Sequence, residues 1–360
     1  MTGVQTCALP ILQAGAAVLI KPSEVTPLGI TEIVDAWKNE IGAPDVFDVV
    51  HGRGETGSAL VDAVDFVQFT GSDRTGKLVM AQAAQSLTPV SLELGGNDAM
   101  IVLEGSNIDR AAAAAAWGGF TNSGQVCMSV ERTFVAEPVY DEFVQKFTEE
   151  VDALNMGIDG PEYGMEQGAI TFPKQMQVAE EHVADAAAKG GRITTGGAKV
   201  DRPGDWFEPT IVADADPSME LMKEETFGPV VGVMKVKNAD EAIERANDSR
   251  HGLTGYVFGR KREAEQVARR LEVGAAVVND VLVNFLASDI PMGGWKDSGI
   301  GFRHGEYGIK KFVRPESLVL TRFGGKRELL YFPYTAKRRA MLGKAAQFVN
   351  ARGIKRRLGR

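Results

Sequence analysis

The sequence predicts an α/β fold in which a mostly parallel sheet is covered by helices on both faces. Three observations carry this. Short apolar segments alternate with longer helix-forming stretches from Leu12 onward. Helix-start signals follow those segments, as at Thr26-Pro27. Loops rich in Gly and Pro separate the later elements, as at 157–164 and 196–204. With 360 residues and 44% hydrophobic content, the chain is ample for two domains.

Each element has its own local signal. Residues 17–20 (Ala-Val-Leu-Ile) form a short apolar strand. Thr26 then supplies an N-cap and Pro27 a first helical position, opening a helix to about Glu40. Residues 46–50 read as a second strand, 55–63 as a helix and 65–70 as a third strand. Gly71 and Gly76 flank the turn into a helix over 75–85, and 90–93 is a fourth strand. A second α/β series begins with a strand at 99–103 and an alanine-rich helix at 108–120. Helices are expected at 140–153, 169–189, 239–247 and 262–271.

Composition narrows the function classes. The net charge of −8 is uneven: from Phe323 onward eleven Lys/Arg face one acid, leaving −18 on the rest. An acidic body argues against a nucleic-acid-binding core. Two cysteines without regular spacing exclude a disulfide framework or a cysteine zinc site, and four scattered histidines suggest no metal centre. The longest apolar runs, such as 14–20, are too short to cross a bilayer. A reducing cytoplasm is the expected setting. The opening residues 1–11 have no basic segment and no charged side chain, unlike a leader. They match, in order, the translation of a sequencing-library adapter. They are therefore set aside from fold reasoning, with Cys7, and the natural chain is expected to enter at Leu12 from an open reading frame cut at its 5′ end.

Chemistry concentrates at Asn122-Ser123-Gly124-Gln125-Val126-Cys127. A thiol at a polar turn beside a helix end can see backbone N–H groups and be lowered in pKa, which makes it nucleophilic. The same cysteine also suits a small buried hydrophobe. Gly71 and Gly76 offer a strand-to-helix turn whose N–H groups can meet a pyrophosphate, or simply an ordinary turn. No Gly-x-Gly-x-x-Gly fingerprint is present. Lys21 and Glu24 close the first strand, where ligands gather in open α/β sheets, yet they also suit a solvated surface pair.

These stretches together resemble the aldehyde dehydrogenase superfamily. Residues 19–24 (Leu-Ile-Lys-Pro-Ser-Glu), 69–72 (Phe-Thr-Gly-Ser), 92–96 (Leu-Glu-Leu-Gly-Gly) and 122–127 occur in that family's order and spacing. Residues 224–229 (Glu-Glu-Thr-Phe-Gly-Pro) and 291–299 (Pro-Met-Gly-Gly-Trp-Lys-Asp-Ser-Gly) are similar to two further signatures, so the likeness covers about 12–322. The resemblance implies an incomplete Rossmann-type cofactor domain at 12–94 with 294–310, and a catalytic domain at 95–293. It also implies an oligomerisation strand within 311–322 and hence a homodimer or homotetramer. The basic tail at 323–360 falls outside it.

By the same resemblance, Lys21 and Glu24 would hold the adenosine ribose. Glu24 would favour NAD over NADP by repelling a 2′-phosphate. Ser72 would contact the pyrophosphate, with Gly71 allowing close approach. Glu225 would bind the nicotinamide ribose and Phe227 would pack beside the nicotinamide. Cys127 would attack the aldehyde, and Glu93 would activate the water that hydrolyses the thioester. Glu93 ends an apolar strand before a Gly-Gly pair, so burial is expected to raise its pKa. Glu306 is read as a structural carboxylate.

Two departures bear on substrate and activity. The family's oxyanion-binding Pro-Trp-Asn segment has no counterpart from Leu12 onward, leaving the Cys127 backbone N–H as the donor and pointing to a chain nearly inactive as written. Many succinate-semialdehyde dehydrogenases carry an arginine where this chain has Thr121. The other pocket candidates, Trp117, Met128, Phe285 and Met292, suit an aliphatic or aromatic aldehyde. The alternatives are a semialdehyde dehydrogenase, a CoA-acylating enzyme, against which Glu93 counts, or a non-catalytic fragment. In the tail, a helix over 338–352 is expected to set Met341, Leu342, Ala345, Phe348 and Val349 on one side, the pattern of a membrane-surface helix, or of a solvated basic tail.

Overall fold

The alternation of strand and helix is realised from Val18 to Val278 in the computed structural model, which describes residues 8–42, 45–328, 330–351 and 353. The elements run α1 (Leu9–Gln13), β1 (Val18–Ile20), α2 (Leu28–Asn39), β2 (Phe47–Val49), α3 (Gly54–Ala63), β3 (Val67–Thr70), α4 (Asp73–Ser86) and β4 (Val90–Glu93). They continue with β5 (Asp98–Val102), α5 (Ile108–Phe120), β6 (Val130–Ala136), α6 (Tyr140–Asp152), α7 (Pro173–Ala188), β7 (Arg192–Thr195), β8 (Thr210–Ala213) and β9 (Val230–Val236). The last are α8 (Ala239–Asn247), β10 (His251–Gly252), β11 (Thr254–Phe258), α9 (Lys261–Ala268), β12 (Ala275–Val278), β13 (Trp295–Lys296), β14 (Gly299–Ile300), α10 (Gly305–Lys310) and α11 (Ala336–Asn350).

Seven strands form one sheet in the order β12-β11-β5-β6-β9-β8-β7, parallel throughout except for the β7–β8 pair. Its central strands are buried on both faces, which explains the unbroken apolar run of β5 after Asp98. The pleat sends Met100 and Val102 of β5 to the core beneath α5 and α6. Ala99 and Ile101 go to the opposite core, under α7, α8 and α9. Tyr140, Phe143, Phe147 and Phe120 are fully buried in the first core, each worth about 1.5–3 kcal/mol of transfer free energy. α7 begins at Pro173 rather than near residue 169, since proline belongs in the first helical turn.

Two smaller sheets carry the N-terminal motifs. β1 and β2 pair in parallel, and β3, β4 and β14 form a three-stranded sheet. Gly76 lets α4 lie close to its sheet, because a Cβ there would come within 2.6 Å of Leu94. Of the segment set aside above, residues 1–7 with Cys7 lie outside the described residues. Ala8 is buried beside Val18, Val34 and Phe47, and residues 9–11 open α1.

The chain divides into units 1–313 and 314–360. The expected strand at 312–321, which runs across that division, is not formed among the described residues, and Leu318 and Val319 are 80% and 87% exposed. A strand needs a neighbour to hydrogen-bond to, and this segment pairs with none among the described residues. Helix α11 starts at Ala336, capped by the Thr335 hydroxyl, which accepts the Arg338 N–H at 3.3 Å. Its two-faced character is weak: Arg338 falls within the arc of Met341, Leu342, Ala345 and Val349, its guanidinium donating to the Tyr331 and Pro333 carbonyls. No helix among the described residues is long and apolar enough to cross a membrane.

Candidate active site

Cys127 follows a turn that is left-handed at three successive residues: Asn122 at φ 52°, Ser123 at 56° and Gly124 at 70°. For Asn and Ser this conformation costs roughly 1–2 kcal/mol each, so neighbours must enforce it. They do so from both sides. Asn122 Nδ2 donates to the Gln125 carbonyl and Gln125 Nε2 to the Asn122 carbonyl, each at 3.1 Å. Ser123 Oγ donates to the Gly168 carbonyl at 2.9 Å, and Gln125 Oε1 accepts the Thr171 N–H at 2.9 Å. Gly124 is obligatory, since a Cβ there would lie 2.1 Å from the Gly228 carbonyl oxygen.

The electrostatics of Cys127 overturn the expected lowered pKa. Burial pushes the thiol up to about 12, Asp98, Glu93 and Glu225 push the same way, and Arg303 alone opposes them. The physical reason is desolvation, which penalises the charged thiolate. Cys127 therefore rests as a neutral, partly buried thiol.

Glu93, 3% exposed, ends β4 opposite Gly299 of β14 and Thr70 of β3. Burial raises its pKa, as expected, while Arg303 and Lys311 pull it back. Arg303 Nε stands 3.3 Å from Glu93 Oε2; Oε1 is buried without a hydrogen-bond partner. Asp98 is buried at the head of β5, accepts the Thr254 N–H at 2.9 Å and is held well above the carboxylate range by that burial. Gly96 permits this closeness, since a Cβ there would lie 2.4 Å from the Cys127 carbonyl oxygen and 2.7 Å from Asp98 Oδ1.

The 224–229 loop joins from a third direction. Glu225 accepts the Gly96 N–H at 3.0 Å, and burial raises its pKa to about 7. Gly95 leaves room for it, because a Cβ would sit 2.2 Å from Glu225 Oε2. Phe227 adopts φ 47° and gives its N–H to Glu131 Oε1 at 2.9 Å, while Thr226 N–H goes to Oε2 at 2.7 Å.

The remaining expected residues gather at strand ends. Lys21 Nζ donates to the Pro22 and Gly52 carbonyls at 2.6 and 3.0 Å and lies 3.6 Å from exposed Glu24. Ser72 caps α4, accepting the Thr75 N–H at 3.3 Å, directly after Gly71. Of the pocket candidates, Met128 and Met292 are 2% exposed, Phe285 is partly buried and Trp117 is 51% exposed. Glu306 pairs with Lys310 on the surface, in keeping with a structural role.

Sequence reasoning missed Arg303, Asp98, Glu131 and Arg250. Arg250 joins Asp73, Glu224 and Asp297 at 2.6, 2.8 and 3.3 Å, tying the start of α4 to the loop of Glu225. A signal existed for Glu131: it sits with Arg132 inside a strand otherwise apolar, where a charge demands partners. Arg303 gave none, because its partner Glu93 lies far away in sequence.

Residues 4–318 match the Aldehyde dehydrogenase family. The chain belongs to the aldehyde dehydrogenase family. Among family relatives, 4,4'-diapolycopene aldehyde oxidase of Methylomonas sp is 40% identical over 91% of this chain and 61% of its own length. A protein of Mycolicibacterium smegmatis, provisionally named succinate-semialdehyde dehydrogenase of the NADP(+) type, is 38% identical over 88% of this chain and 62% of its own length. The chain thus spans about three-fifths of the curated aldehyde dehydrogenase relatives it matches. Among solved structures, an aldehyde dehydrogenase of Mycobacterium tuberculosis complexed with NAD+ superposes with a TM-score of 0.82 at 33% identity, covering 87% of this chain and 65% of that one. Lactaldehyde dehydrogenase of Escherichia coli gives 0.80 at 35% identity, covering 85% and 64%.

Proposed function

We propose that these residues serve the oxidation of an aldehyde to a carboxylic acid with NAD, or NADP, as electron acceptor. One observation carries this reading: separate elements bring a cysteine thiol and a buried glutamate with an unpaired carboxylate oxygen into one charge cluster. Such a glutamate can take the thiol proton as Sγ attacks the carbonyl carbon, and the Cys127 N–H can donate to the developing oxyanion. Bound NAD supplies the acceptor for the hydride lost from the thiohemiacetal carbon. Glu93 then removes a proton from water as the hydroxyl adds to the Cys127 thioester, releasing acid and thiol.

The residues at the strand ends fit a dinucleotide. Lys21 spends two of its three N–H donors on carbonyls and keeps one for a hydroxyl. Glu24 stays exposed with acceptors for ribose hydroxyls, and its charge disfavours a 2′-phosphate. Ser72 with Gly71 would meet the pyrophosphate at the α4 N-terminus, and Glu225 and Phe227 would border the nicotinamide riboside.

Apolar Met128, Met292, Phe285 and Trp117, with Thr121 uncharged, favour an aliphatic or aromatic aldehyde. The relative acting in name on diapolycopene aldehyde agrees with an apolar substrate, and the one named for succinate semialdehyde supplies the second reading. Residues 12–94 with 294–310 as cofactor domain, 95–293 as catalytic domain, assembly through 311–322 and a cytoplasmic setting belong to the same proposal. The test follows NADH absorbance with NAD and a panel of apolar and carboxylated aldehydes. A chain extended to the length of its relatives should form NADH and its Cys127→Ala variant none. An extended chain that binds NAD yet forms no NADH with any aldehyde would favour a non-catalytic binding role.

A further inference from the structure

The structure assigns Arg303 a role outside the motif residues: we propose that it is a positioning residue that pairs with Glu93 at Oε2 and leaves the buried Oε1 as the unpaired oxygen of the base. This rests on the reading of Glu93 as the base. Arg303 and Met292 form an antiparallel bridge, Arg303 N–H donating to the Met292 carbonyl at 2.6 Å and Met292 N–H to that of Arg303 at 3.0 Å. Gly308 allows the chain to turn tightly behind it, since a Cβ there would come within 2.8 Å of the Arg303 carbonyl carbon. From that fixed point the side chain, 8% exposed, reaches Glu93 with Nε at 3.3 Å and Thr70 Oγ1 with Nη2 at 3.3 Å.

The pairing defines the state of the base. A buried carboxylate without a cation would take up a proton and lose its capacity to accept one. Two cations act on Glu93, Arg303 and Lys311, and the Cys127 thiol lies in the same charge cluster. Lys311 is engaged by Gln68 Oε1 at 2.6 Å and Ser91 Oγ at 3.0 Å, so the direct ion pair is left to Arg303. Because Thr70 and Glu93 are register partners on adjacent strands, one guanidinium bridges both and resists rotation of the carboxyl.

The test reads Glu93 directly, without turnover. Infrared difference spectra between the parent and Glu93→Gln, taken at stepped pH, isolate the protonated carboxyl band of Glu93. The same pair is prepared on Arg303→Met and Arg303→Lys backgrounds, with circular dichroism as the folding check. Arg303→Met should move the midpoint upward by about one to three pH units, the usual effect of a neighbouring guanidinium, and Arg303→Lys should recover at least half of that shift. A midpoint unchanged in folded Arg303→Met would overturn the proposal. If Arg303→Met does not fold, Arg303→Gln takes its place: an upward shift supports the pairing and no shift refutes it. Absence of aldehyde oxidation in the extended chain would refute the functional reading while leaving this measurement intact.

Discussion

Glu131 holds the Phe227 turn by its backbone, one carboxylate oxygen accepting Phe227 N–H at 2.9 Å and the other Thr226 N–H at 2.7 Å. A single buried side chain, four residues after the nucleophile in sequence, thereby fixes the loop that presents Glu225. Glu131→Gln sets an amide against one of these N–H donors. An unsatisfied buried donor costs about 1–3 kcal/mol, so NADH should bind roughly tenfold more weakly, read by fluorescence titration. Unchanged affinity would separate Glu131 from the cofactor loop.

The thiol of Cys127 should alkylate slowly at neutral pH. With its pKa pushed up to about 12, the iodoacetamide rate should climb steadily from about pH 7 to 10 without a plateau. A plateau near pH 8, seen by mass spectrometry of the Cys127 peptide, would contradict the buried neutral thiol.

Gly124→Ala should be destabilising by about 2–4 kcal/mol, since it adds a Cβ 2.1 Å from the Gly228 oxygen to a residue at φ 70°. Thermal unfolding should shift down by several degrees. An equal melting temperature would mean that the turn relaxes freely.

Glu225 should make stability fall with rising pH. Its folded pKa is about 7 against an ordinary 4.5, so folding favours the protonated form. The favourable contribution is complete below about 4.5 and is lost as pH rises to about 7. Glu225→Gln removes this dependence, and its melting temperature should gain on the parent between pH 5 and 8. A constant difference across that range would place the titration elsewhere.

The sequence carried the architecture well where local signals decide it. Pro27 announced α2, although Pro27 itself rather than Thr26 takes the N-cap and Thr26 makes no capping bond, and the Gly71–Gly76 turn announced α4, because prolines and glycines act over a few residues. What failed was anything set by burial or distant contact. The Cys127 thiol moved opposite to expectation because burial desolvates it, with three carboxylates from separate segments adding to the shift. Arg303 was silent because its partner is a strand end more than two hundred residues earlier. The segment at 312–321 forms no strand among the described residues.

Gly95, Gly96 and Gly124 bring the nucleophile, Glu225 and Gly228 together through bare backbone, each with less than 2.5 Å to spare for a side chain. Diversification of substrate range is thereby steered away from the reacting centre. On the proposed function, new specificities are expected at Trp117, which is half exposed, rather than at Met128, which is packed in the core. A mutational library restricted to Trp117 should retain the reaction and vary only what enters it.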